Sequence, residues 1–171
     1  MENLIIRASL YQDIAPLCDN MLMEDKAEFR AHGYTEEDLP KIIADSISDK
    51  KCFTAASETG ELLCMFGMKD TIETCCVKLD RFNKVLLYMP IWFIGTTRLG
   101  KYHDVFIDKF KHSIEELQNL TFGLPLGNWL GADNSYRASC LHWLGFEFVK
   151  HEQVNNVPLM FYARNPSANP T

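Results

Sequence analysis

Apolar and polar positions follow two rhythms along the chain, and the switch between them marks out the elements. Residues 4–8 form a short apolar run that reads as a first strand, after which Ile14, Leu17, Cys18, Met21 and Leu22 recur at helical spacing. That helix is expected to run on through Ala27 and Phe29 to Gly33, a residue able to take the left-handed conformation that ends helices. Thr35, with acids following it, predicts the N-cap of a second helix whose stripe is Leu39, Ile42, Ile43 and Ile47. From Lys51 the period drops to two. Residues 52–57 and 61–68 predict an antiparallel pair joined at Glu58-Thr59-Gly60.

The stretch 85–94 is the most apolar strand and contains Pro90. Proline has no N–H for a ladder, so a bulge or a splay between neighbouring strands is predicted there. Phe106, Phe110, Ile114 and Leu117 place a helix over 102–120. Beyond it, 124–130 reads as a strand and 135–144 as a short helix opened by Asn134 or Ser135 and closed by Gly145. Residues 146–151 and 157–163 give the last two strands. The order β-α-α-β-β-β-α-β-α-β-β predicts an α/β fold: a mixed, largely antiparallel sheet with helices on both faces. One domain is expected over 1–164, with a frayed tail at 165–171 that holds Pro166 and Pro170.

Composition narrows the function. A chain of 171 residues, 47% hydrophobic, can bury one sizeable core. A formal charge of −6 and the mixing of Lys109 and Lys111 with Asp104, Asp108, Glu115 and Glu116 argue against direct nucleic-acid binding. No apolar run is long enough for a membrane span, and no secretory signal is expected from the opening residues. The six cysteines lack a CxxC and are read as reduced thiols. The histidines show no metal-ligand spacing beyond the loose pair His103 and His112, and no GxSxG elbow occurs, so no metal and no serine nucleophile are expected.

The element order, the segment from Asn134 to Glu147 with its Leu144-Gly145-Phe146, and the opening Ile6-Arg7-Ala8 with Asp13-Ile14 and Leu17 together resemble the GNAT superfamily of acyl-CoA-dependent N-acyltransferases. The resemblance implies a fork between the fourth and fifth predicted strands that holds the pantetheine arm of acetyl-CoA, with Pro90 at its origin. It implies a cofactor set of main-chain amides at Trp92, Phe93 and Ile94, with Arg98, Lys101 and Asn134. Two departures stand against catalysis. The family's diphosphate loop, Gln/Arg-x-x-Gly-x-Gly/Ala, is broken here, because Lys101 and Tyr102 occupy positions where small residues admit a diphosphate. The family's Tyr general acid falls on Leu141, which has no proton to give. No catalytic residue is therefore assigned, and Tyr136 is expected to be a core aromatic.

The segments Pro90 to Thr96, Asn128 to Asn134 and Leu141 to Gly145 are also similar to a GNAT-like internal virion protein family of short-tailed bacteriophages. That resemblance implies a non-enzymatic protein without a cofactor, located in the virion or the host cytoplasm. It would act in particle assembly or genome delivery through contacts with phage structural proteins, with Trp92, Trp129 and Trp143 as candidate contact residues. The expected discriminator is the fork. An open V with free amides favours a cofactor, and one plugged by Tyr102 or Leu141 favours a scaffold.

Overall fold

The computed structural model describes residues 3–166. It contains β1 (Leu4–Ala8), α1 (Ile14–Asp19), α2 (Met23–Ala31), α3 (Leu39–Ser48), β2 (Cys52–Ser57), β3 (Leu62–Met68), β4 (Glu73–Leu79), β5 (Phe82–Gly95), α4 (His103–Asn119), β6 (Leu126–Gly131), α5 (Ser135–Trp143), β7 (Glu147–Val154) and β8 (Val157–Arg164). The strands form one sheet in the order β1-β2-β3-β5-β6-β8-β7, with β4 paired to β5 off that path. All pairings are antiparallel except β5 with β6. The expected α/β class and mixed, largely antiparallel sheet are what the chain adopts.

Alternation along β5 divides the core. Ile91 and Phe93 face α4 and α5, joining Phe66, Phe106, Phe110, Ile114 and Leu141. Trp92 and Ile94 face the other way, onto Leu17, Met21, Leu39 and Ile43 of the N-terminal helices and the segment after α1. Burying each such side chain stabilises the fold by about 1.5–3 kcal/mol. A third cluster, Cys75, Tyr88 and Phe161, seats the β4–β5 arm on β8.

Three elements differ from the sequence expectation. The helix expected from Ile14 to Gly33 is two helices, because residues 20–22 leave helical geometry to pair with the end of β5. Leu22 N donates to Gly95 O at 3.0 Å, Thr97 N donates to Asn20 O at 3.2 Å, and Met21 bridges Thr96. β4 was not expected: its Cys75, Val77 and Leu79 alternate with polar or exposed partners, and its hairpin to β5 turns on Asp80-Arg81, which carries no glycine signal. The third helix begins at Leu39 and not at Thr35, whose N–H and hydroxyl both donate to Asp38, the residue that precedes the helix. The C-terminal hairpin turns on Asn155-Asn156, both at positive φ. Of the tail expected to fray, residues 167–171 lie outside the described residues.

Candidate functional site at the fork of the sheet

β5 and β6 run parallel and side by side only at Met89 with Leu126 and Pro90 with Gly127. Beyond that point they part. The fork opens where Pro90 stands, but its cause is not the missing proline N–H. Lys69 N donates to Pro90 O at 2.9 Å, so the backbone of Pro90 faces β3, and the absent donor ends the β3 ladder. What holds β5 away from β6 is side chains set between them. The Asn128 amide donates to Ile91 O at 3.0 Å, in place of a backbone rung.

A buried ionic group spans the wider end. Asp25 on α2 accepts from Gly95 N of β5 at 2.6 Å. Glu28, one turn later, accepts from Gly131 N of β6 at 3.0 Å and from the Asn134 amide at 3.2 Å. Arg137 on α5 pairs with Asp25, lies 3.6 Å from Glu28, and covers the Phe93 ring at 4.6 Å. Two carboxylates thus face one guanidinium in a dry place. Burial pushes both Asp25 and Glu28 above the usual carboxylate range, against the pull of Arg137.

Two cavities meet at this group. On the α4/α5 face an apolar cavity of about 280 Å³ is walled by Ile91, Phe93, Phe106, Phe110 and Leu141. On the α2/α3 face a smaller one of about 90 Å³ is bordered by Glu28, His32, Tyr34, Lys69 and Glu73. Ile91, Trp92, Phe93, Asn128 and Arg137 line both, so the two cavities lie back to back across the fork with these side chains between them.

The predicted cofactor residues are placed as follows. Pro90 O and Thr96 N both bond toward β3, so by strict alternation Trp92 and Ile94 commit their main-chain groups to β3, and Phe93 turns its N–H and C=O into the fork. Arg98 pairs with Glu61 at the surface, and Lys101 lies exposed on the short 3-10 turn Leu99–Tyr102. Asn134 caps α5 by accepting from Arg137 N at 3.2 Å and holds Glu28 with its amide. Tyr102 is buried in the core, and Leu141 forms one wall of the larger cavity without filling it.

Sequence reasoning missed Asp25, Glu28 and Arg137, the charged centre of the site. It also misplaced Tyr136, which is 54% exposed at the cavity mouth and not a core residue; its phenol is pushed up to about 12, mainly by burial. Of the three tryptophans, Trp92 is buried, Trp129 is half-buried with its N–H donating to Tyr88 Oη at 3.1 Å, and Trp143 is 65% exposed.

A pantetheine arm fits the fork. Phe93 offers an amide edge, the walls are apolar, and the Trp92 indole N–H is buried beside the fork without an acceptor. The diphosphate end fits less well. Thr97 N, Arg98 N, Leu99 N and Lys101 N all bond within the protein, to Asn20 O, the Thr96 hydroxyl, Thr96 O and Arg98 O. Charge for a phosphate there would come from Arg98 and Lys101 side chains.

No family profile matches the chain, and no curated protein matches its sequence. Solved structures match over nearly its whole length. A candidate acetyltransferase from Salmonella typhimurium with its cofactor acetyl-CoA superposes with TM-score 0.64 at 13% identity, covering 98% of this chain and 96% of that one. A GNAT-family acetyltransferase from Streptococcus agalactiae gives 0.59 at 16% identity, covering 95% of each chain. Ribosomal-protein-S5-alanine acetyltransferase from Vibrio fischeri gives 0.61 at 11% identity, covering 99% and 97%. The fold is that of the GNAT acetyltransferases. Nothing in these matches points to a phage virion protein, and at such identities they speak for the fold alone.

Proposed function

We propose that the protein is a divergent acyl-CoA-dependent N-acyltransferase that takes its donor from the α4/α5 face and its amine from the α2/α3 face. The observation that supports it is the pair of cavities that share Ile91, Trp92, Phe93, Asn128 and Arg137 as lining residues where β5 and β6 part. Bound acetyl-CoA would supply an activated acyl thioester. Phe93 would hold the arm through its main chain, with Ile91, Phe106, Phe110 and Leu141 excluding water around it. Arg98 and Lys101 would meet the phosphates. On the amine side Glu28, its carboxylate raised by burial, would be the proton acceptor at the fork. The test is thiol release from acetyl-CoA in the presence of a panel of primary amines. Turnover is expected, with Glu28→Gln lowering it about 10²-fold; turnover unchanged in Glu28→Gln would remove Glu28 from the reaction.

A second reading, a non-enzymatic GNAT-fold protein that acts through contacts, is supported by Leu141, which has no proton to give, and by the loop amides already bonded internally. Absence of acetyl-CoA binding together with co-purification with a partner protein would select it.

A further inference from the structure

We propose that Cys140 is an acyl-accepting nucleophile, activated by His103, at the junction between the apolar cavity of the fork and an open groove between α4 and α5. Cys140 Sγ lies 3.9 Å from His103 Nε2, and His103 Nδ1 lies 3.0 Å from Asp104 Oδ1, a carboxylate oxygen that can only accept. The second contact selects the tautomer in which Nε2 accepts, the arrangement a base needs toward a thiol. Asp104 is fully exposed, so it acts as a positioning residue and not as a buried counter-charge. The Tyr136 ring lies 5.2 Å from that of His103, on the helix that carries Cys140.

Burial raises the Cys140 thiol, so at rest it is protonated and must be activated by base in the reaction. His103 is the first residue of α4, whose N-terminus favours negative charge developing nearby.

Cys140 lines both spaces, the apolar cavity of about 280 Å³ and the groove of about 470 Å³. An acyl chain entering the cavity and a thiol leaving through the groove would place the thioester carbonyl at the sulfur. Asp104 and Asp108 border the groove, so a neutral or cationic thiol is the fitting leaving group. In the step, His103 Nε2 takes the thiol proton as Sγ attacks the carbonyl carbon. The new C–S bond forms, the old one breaks, and the departing thiolate takes the proton back from His103. No oxidant or metal is needed. The site goes beyond the N-acyltransferase reading and does not rest on it, because the donor requires no nucleotide.

The experiment treats the full chain with the butyryl thioester of N-acetylcysteamine and follows S-acylation by intact mass and peptide mapping. Cys76, the exposed cysteine on β4, is the internal comparator. Cys140 is expected to acylate at least about tenfold faster than Cys76, and His103→Gln to slow Cys140 about 10²-fold while leaving Cys76 unchanged. His103→Gln protein should melt as the parent does, and Asp104→Asn should shift the pH profile of acylation more than its plateau. Labelling of Cys140 no faster than Cys76, or at the same rate in His103→Gln, would overturn the proposal. Either result leaves acetyl-CoA binding, measured separately, as it was.

Discussion

Arg137 follows two residues after Ser135 in a short helix whose sequence, Ser-Tyr-Arg-Ala-Ser-Cys, gives an arginine every reason to point to water. It instead faces Asp25 and Glu28 inside the fork, one positive charge against two carboxylates, with its side chain 11% exposed. Removing one partner from such a group leaves the others charged and unpaired. Arg137→Leu is expected to cost about 3–5 kcal/mol in denaturant unfolding at pH 7. The sign with pH follows from the two raised carboxylates. A carboxylate whose folded pKa is raised favours the folded state below its unfolded pKa and loses that contribution as pH rises through the folded value. Without the guanidinium nothing offsets the upward push of burial on the two carboxylates, so the deficit of Arg137→Leu should shrink as protonation removes their unpaired charge and pH falls toward about 4. An equal deficit at both pH values would mean the loss is one of packing. None of this could be read from the chain, since Asp25 and Glu28 sit on a helix of ordinary polar appearance and only the tertiary approach of α2, β5, β6 and α5 buries them. The place of Leu141 on α5, by contrast, was readable, because one short helix joins Asn134 to Gly145.

At the scale of elements, β5 carries the site, and its sequence announced it. The long apolar run with Pro90 marked the strand, and the fork lies there. The reason was different: proline ends the β3 ladder, and Asn128, Asp25 and Glu28 keep β6 apart. The split of the first helix was hidden because its cause, pairing of residues 20–22 with the end of β5, is a contact between segments some 70 residues apart in sequence. Where β5 and β6 do touch, Gly127 lets them. A Cβ there would lie 2.2 Å from Tyr88 Cδ2 and 2.8 Å from Phe161 Cε2, both rings fully or nearly buried. Gly127→Ala should therefore destabilise by about 1–3 kcal/mol in urea unfolding, through overpacking at the root of the fork. A neutral result would show that Tyr88 can swing away and that the arm of β4 and β5 is loosely seated.

For the whole molecule, the order of elements together with the segment from Asn134 to Glu147 and the opening Ile6-Arg7-Ala8 indicated the GNAT architecture, and solved structures of that fold superpose over nearly all of the chain. Function follows less directly, because the fold can keep its fork while the loop that cradles a diphosphate is rebuilt around internal bonds. The molecule has an apolar cavity on one side of the fork and a smaller cavity of mixed charge on the other, with Arg137 lining both. The proposal that the apolar cavity at the fork holds an acyl donor is tested most directly by calorimetric titration of acetyl-CoA into the protein and into Leu141→Trp, whose indole would occupy the cavity. Binding with Kd between about 1 µM and 1 mM, weakened at least about tenfold in Leu141→Trp, is the expected result. No binding heat in the parent protein, or equal affinity in the variant, would contradict it.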